Sequence, residues 1–287
     1  MIPFVLALLA AGSSVAQSTS ADSQTGASRV ALAIVLDPRS RPLLDVSADD
    51  FVIQEAGAAR EILSVRPADY PIVLLLDTGI DARGDFPMIR KAAAHFIERI
   101  GQRPLAIGTL GGVPALVTGL DDERETVMAR LAALEPDTNA PSALLEGASL
   151  AAQTIRGTGA LFSAIIVLSS APLDASQRPP DAMIASIIDS NAILHVVQKG
   201  SDLDFRAGNP RKNRDLTLRA IAEQSRGEFT TIYSAASFQA ALDRLADRLT
   251  SELMIEYLVP VGSKPADVKL GVRIIGARVR GLGVAPK

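Results

Sequence analysis

The sequence predicts an α/β fold: a doubly wound, mostly parallel sheet flanked by helices, with a small β-rich appendage built from both ends of the chain. Three observations predict it. Unbroken apolar runs such as PIVLLL (71–76) and SAIIVL (163–168) read as strands buried on both faces of a parallel sheet. Amphipathic stretches of helical period lie between those runs, as βαβ units require. A β-rich texture stands before Tyr70 and returns after Leu253.

The chain opens with MIPFVLALLAAGSSVAQ, a short apolar run followed by small residues at Ser14 and Ala16. That pattern predicts a secretory signal peptide over residues 1–16, cleaved before Gln17. The run is too short to span a bilayer, and no later segment has the length of a span, so a mature chain without a membrane span is expected. Residues 17–28, QSTSADSQTGAS, are small and polar and read as a flexible leader. Residues 29–68 follow as an all-β segment. Within it, DDFVIQEAGAAREILSV reads as two strands joined at Gly57.

The α/β domain spans residues 69–252. After the PIVLLL strand, Phe86, Ile89, Ala93, Phe96 and Ile100 lie on one face of a helix. PLAIGTL and VPALVTGL read as strands. Asp121 or Asp122 caps a helix carrying Val127, Leu131 and Leu134. Leu144, Ala148, Ala151 and Ile155 stripe the next helix, which leads to FSAIIVLSS. PPDAMIASIIDS starts a helix with proline in its first turn, and AILHVV is a strand. LTLRAIAEQSRG is a helix stopped by Gly227, and EFTTIY is a short strand. Phe238, Leu242, Leu245 and Leu249 stripe the last helix. Residues 253–287 hold the strands MIEYLVPV, DVKLGVRII and ARVRGLGV. They are expected to pair with 29–68, because a lone hairpin is marginal.

Composition excludes several classes of chemistry. The 287 residues carry a net charge of −3, no Trp and 4% aromatics. A nucleic-acid footprint and a base- or sugar-stacking platform are therefore not expected. The one basic cluster, NPRKNRD (209–215), reads as a solvated loop, with a contact patch as the alternative. There is no cysteine, which removes thiol catalysis and thiolate metal sites. The two histidines, His95 and His195, are far apart in sequence and read as structural. No G-x-S-x-G, S-x-x-K, P-loop or G-x-G-x-x-G motif occurs. The paired acids Asp49-Asp50 and Asp121-Asp122-Glu123 read as helix caps and solvated turns.

Asp77 ends the first core strand, at the sheet edge where doubly wound folds bind ligands. An apolar strand closing on Asp, followed by an amphipathic helix, resembles the von Willebrand factor type A (VWFA) domain, whose first loop, DxSxS, helps bind Mg²⁺ or a similar hard cation. LAIGTLGGVPALVTGLDDERETVMARLAAL resembles the family's second and third strands and the helix after them. APSALLEGASLAA resembles its GTxLxxAL segment, SAIIVLSSAP the strand that normally ends LSDG or LTDG, and RGEF (226–229) the GGxY/F strand start. The resemblance extends to secreted bacterial VWFA-related proteins. Their lead-in, DxxGxPVxxLxxxDFxVxExG, is similar to DPRSRPLLDVSADDFVIQEAG (37–57), and their closing YxLxYxP strand to SELMIEYLVPVG.

The resemblance implies a five-position cation site. Carried over, the first-loop Asp is Asp77, the first Ser position is Gly79 and the second is Asp81. The Thr position is Ser142, and the third-loop Asp falls on Ser170. Gly79 offers no side-chain oxygen, and Ser170 is neutral. The pattern is thus degenerate: either a rearranged Mg²⁺ or other divalent-cation site anchored on Asp77 and Asp81, or a site without metal in which Asp77 serves loop N–H groups. The second is the expectation, with no cofactor. Asp174, four residues past Ser170, is a further carboxylate that is not expected to join the site. The function this implies is an exported, non-enzymatic module that binds a protein partner and not nucleic acid. The alternatives are an envelope enzyme with its site near Asp77, Asp81 and Ser142, or a structural component of an envelope assembly.

Overall fold

The computed structural model describes residues 26–137, 139–200, 210–264 and 266–286. The predicted signal peptide and residues 17–25 of the leader lie outside the described residues. The leader is shorter than the sequence suggested, because Ala27 and Ser28 already belong to the first strand, β1 (Ala27–Leu36).

The core is a six-stranded sheet in the order β10-β9-β8-β5-β6-β7. It contains β5 (Ile72–Leu76), β6 (Leu105–Thr109), β7 (Ala115–Leu116), β8 (Ala164–Ser169), β9 (Ile193–Lys199) and β10 (Phe229–Ile232). All pairs are parallel except β6 with β7. VPALVTGL, read as a full strand, contributes only the two residues of β7.

Helices cover both faces. Ile72, Leu74 and Leu76 of β5 pack among α1 (Phe86–Arg99), α2 (Arg124–Ala132) and α6 (Ser237–Thr250). Val73 and Leu75 pack among α3 (Leu144–Thr158), α4 (Pro180–Asp189) and α5 (Pro210–Gln224). This two-sided burial is why PIVLLL carries no polar alternation. β5 lies between β6 and β8, so the chain reverses its direction of winding between β5 and β8, and that is the switch point where such sheets bind ligands.

The β appendage is two sheets. One has the order β13-β1-β11-β4, with β4 (Ile62–Pro67), β11 (Leu253–Val259) and β13 (Arg278–Pro286). The other is β12-β2-β3, with β2 (Phe51–Glu55), β3 (Ala58–Arg60) and β12 (Val268–Val272). Each sheet combines strands from both ends of the chain. Along β1 the side chains split by parity. Ala31, Ala33 and Val35 pack toward the second sheet, whereas Val30, Leu32 and Ile34 join the apolar cluster of α1 and α6. The four-stranded sheet is thus a middle layer that ties the appendage to the core.

Four local expectations need correction. The stretch 51–67 holds three strands, because the chain leaves one sheet at Arg60 and enters the other at Ile62. The N-cap of α2 is Glu123, while Asp122 closes the preceding turn by accepting from Gly119 N at 2.9 Å. The basic cluster 209–215 is not a loop: residues 210–215 form the first turns of α5, where proline is tolerated because the first-turn N–H has no helical partner. Gly227 does not supply the left-handed residue after α5; Arg226 does, with φ 65°. Glycine is required at 227 because a Cβ there would collide with the carbonyl oxygen of Leu194.

Candidate functional site

Three core strands end in a buried polar residue at the same edge of the sheet: Asp77 after β5, Ser169 in β8 and Gln198 in β9. The Asp77 side chain is fully buried, and its carboxylate is held by the loops around it. Oδ1 accepts from Gly79 N at 3.1 Å and from the Ser142 hydroxyl. Oδ2 accepts from Ser169 Oγ at 2.9 Å, Ser170 N at 2.9 Å and Ala171 N at 2.8 Å. Five donors therefore converge on one carboxylate, which has about four lone-pair sites. A buried carboxylate needs such compensation.

The structure brings together Asp77, Ser142 and the backbone of Ser170, and it separates Asp81. That residue lies exposed on the short helical turn Ile80–Ala82, with no hydrogen bond to Asp77, Ser142 or Ser170 among the described residues. Of the two carboxylates expected as joint anchors, Asp77 is fully buried and Asp81 is exposed on the turn. Ser170 contributes its N–H and not its hydroxyl, which is buried with no hydrogen-bond partner among the described residues. Asp174 serves α3, accepting from Leu144 N at 2.8 Å and Leu145 N at 3.3 Å, where a carboxylate offsets the positive end of the helix.

Gly79 is set by sterics. A Cβ there would collide with Ser142 Oγ and stand 2.9 Å from Ser142 N and 3.2 Å from Ala140 O. The Ser142 hydroxyl therefore fills the space that a side chain at position 79 would need. Thr78 is buried beside it and accepts from Gly111 N at 3.0 Å, which stitches the β6–β7 loop to the end of β5.

Sequence reasoning missed Ser169 and Gln198. Gln198 Nε2 donates to Ala171 O at 3.1 Å and so holds the segment that holds Asp77. The signal was present: both are polar residues at the carboxyl ends of apolar strands, as Asp77 is.

A hard divalent cation takes near-octahedral oxygen ligands. The residues present do not fit that demand. Asp77, the buried carboxylate at this edge, already accepts from five protein donors, Gly79 brings no side-chain oxygen, and Asp81 is exposed. Among the described residues no group of three or more His, Cys, Asp or Glu is placed to hold a metal ion. The histidines add nothing here. His95 lies 3.3 Å from Asp243 on α6, and His195 is buried in β9, where desolvation and then the Arg248 charge push its pKa down to about 3.

The loops at the rim of the site expose apolar side chains beside polar ones such as Asp81 and Asn139. Segment 140–143 is bonded to each neighbouring loop: it accepts from Ile80 N (2.9 Å), Gly112 N (2.9 Å) and Ala175 N (2.9 Å), and donates from Ala143 N to Leu110 O (2.8 Å). These loops carry Ile80, Val113 and Leu173, which are 47%, 88% and 51% exposed.

This α/β architecture, with Asp77 at the switch point, is a VWFA-type fold. Solved structures agree. The chain aligns over 92% of its length with a von Willebrand factor type A protein from Catenulispora acidiphila, at 13% identity, TM-score 0.55 and 74% coverage of that chain. It also aligns with proximal thread matrix protein 1 from the mussel byssus, at 12% identity, TM-score 0.53, and 72% of this chain against 49% of that one. A further structure of the mussel protein, described as having a zinc-occupied MIDAS motif, aligns at 11% identity and TM-score 0.51, over 64% of this chain and 48% of that one. The chain thus spans about half the length of the mussel protein it matches. No protein-family model matches the chain, and no curated protein matches it. Among the described residues no helix is long and apolar enough to cross a membrane.

Proposed function

We propose that the chain is an exported, non-enzymatic protein-interaction module that binds its partner through the loops at the carboxyl ends of the core strands, without the hard cation usual in its fold class. The observation that carries this reading is the rim of Ile80, Val113 and Leu173, exposed on three loops bonded to one segment over the saturated Asp77. Exposed apolar side chains on neighbouring loops are candidates for a contact surface. With Asp77 committed to internal donors, recognition there rests on apolar contact and loop backbone rather than on a metal-bridged carboxylate. The sequence supports export through its signal-like first 16 residues.

The test places a photocrosslinking residue at Val113 or Leu173 in the producing cell, with Lys264, on an exposed loop of the appendage, as control site. One discrete adduct from positions 113 and 173, absent from 264 and lost when Ile80→Asp is added, is the expected result. Adducts equal at all three sites would contradict the reading. N-terminal sequencing of the exported chain should begin at Gln17. A hydrolase screen should give no turnover above the Ser142→Ala variant.

A further inference from the structure

A second surface lies at the opposite end of the core sheet. β13 and β12 are the outer strands of the two appendage sheets, and both line one cleft of about 790 Å³. The start of β9 and the segment after α5 form its other wall. A strand at the edge of a sheet carries a row of N–H and C=O groups without strand partners, and proteins blunt such edges with charge, proline or a covering element. The first half of β13 is blunted by Arg278 and Arg280. The second half, Gly281 to Ala285, has no charge, and it is this half that lines the cleft.

That half is also anchored to the core. The register with β1 shifts between Leu32 and Ala33, leaving Leu282 as the extra residue of a bulge. The Leu282 side chain is buried in the core cluster. Its carbonyl accepts from Arg226 Nη1 at 2.5 Å. Gly281 and Gly283 flank it, so the floor of the cleft is backbone. A Cβ at 283 would come within 3.2 Å of Phe162 and 3.3 Å of Arg226. Bulges of this kind re-aim a strand next to functional sites.

Three charged features line the cleft: Arg226, the pair Arg29 and Glu55, and Asp267. Arg226 has no carboxylate partner among the described residues, and its guanidinium lies beside the open edge. At the other end the buried pair Arg29 and Glu55 lines the wall. Arg29 also donates to Ser263 O at 2.6 Å, while Glu55 Oε2 accepts no hydrogen bond among the described residues. Backbone edge and cation together point to one kind of occupant. The geometry points to an extended segment of a partner polypeptide that adds as a further strand to β13 and sets an acidic side chain on Arg226. Main-chain bonds supply the affinity of such strand addition, and the side-chain contacts supply its specificity. This surface is separate from the Asp77 rim, so its failure leaves the reading of that rim untouched.

The experiment selects a random nine-residue peptide library on the whole mature chain, with counter-selection on Val284→Arg. Val284 is 42% exposed, so the substitution blocks the cleft without entering the core. Circular dichroism confirms that the variant is folded. The expected peptides carry an acidic residue and no central proline, and on binding they slow amide exchange over 281–285. Methylating alternate peptide nitrogens abolishes binding. Arg226→Ala weakens it at least about tenfold, and Arg226→Lys retains part of it, as expected for a charge-assisted contact. Three results would overturn the proposal: no peptide enriched over Val284→Arg, protection confined to other strands, or full binding by the methylated peptides.

Discussion

The two ends of the core sheet each bury a carboxylate, and they solve the same problem differently. At the upper end Asp77 is surrounded by five donors, all neutral and most of them backbone. At the lower end Glu252, between α6 and β11, is equally buried but accepts one hydrogen bond, from the Tyr70 hydroxyl. Arg248 stands off at 3.8 Å, and Oε1 has no hydrogen-bond partner among the described residues. Burial therefore pushes the Glu252 pKa up to about 7, against the lowering effects of Tyr70, Arg248, Arg103 and Arg280. A buried carboxylate with enough donors is a structural part; one with too few becomes a titrating group.

Removing the upper carboxylate should have the largest effect. Asp77→Ala leaves buried N–H and hydroxyl donors without an acceptor, each worth about 1–3 kcal/mol. A loss of at least about 3 kcal/mol is expected in urea denaturation, and a loss under about 1 kcal/mol would show that the donors find other partners.

The lower end should respond to pH. Glu252, raised from 4.5 to about 7, holds its proton in the fold and releases it on unfolding. Its stabilising contribution is full below pH 4.5 and is lost as pH rises through about 7. His195, lowered from 6.5 to about 3, does the opposite: its contribution is full above pH 6.5 and is lost as pH falls toward about 3. Between pH 4.5 and 6.5 the two cancel, since folded and unfolded chains carry one proton on the pair. Glu252→Gln should uncover stability rising with pH by about 1.4 kcal/mol per unit relative to the native chain. His195→Leu should uncover the reverse slope. Parallel curves for all three proteins would contradict the pairing.

A smaller effect comes from Gly79→Ser, which restores the residue type implied by the VWFA resemblance. Overpacking against Ser142 should destabilise by about 1–3 kcal/mol. Adding Ser142→Ala should recover part, because the contact to Ser142 N remains. Additive losses in thermal denaturation would show that the two positions do not share one space. The smallest effect is expected at the rim: Val113→Ser should shift stability by less than about 0.5 kcal/mol while removing the crosslink to the partner.

These contrasts also mark what was legible in the sequence. The core strands and helices could be read because their apolar period is uninterrupted, and the position of Asp77 followed from the end of PIVLLL. The partners of Asp77 were only partly legible. Ser142 could be placed by resemblance, but Ser169 competes with Ser170 in the same LSSAP, and strand parity alone does not say which hydroxyl turns inward. Asp81 misled because sequence spacing does not reveal that Ile80–Ala82 is a tight turn. Glu252 gave no signal at all: its burial arises where β11 crosses beneath α6 to pair with β1 and β4, a contact between distant segments. Arg226 was hidden for the same reason, since Leu282 lies 56 residues away.

The central claim is that protein donors satisfy Asp77 and leave no place for a hard cation. Calorimetric titration of MgCl₂, MnCl₂ and CaCl₂ into the mature chain, with Ser142→Ala beside it, tests this most directly. No saturable heat in the millimolar range from either protein is the predicted result. Saturable sub-millimolar binding that Ser142→Ala abolishes would contradict it.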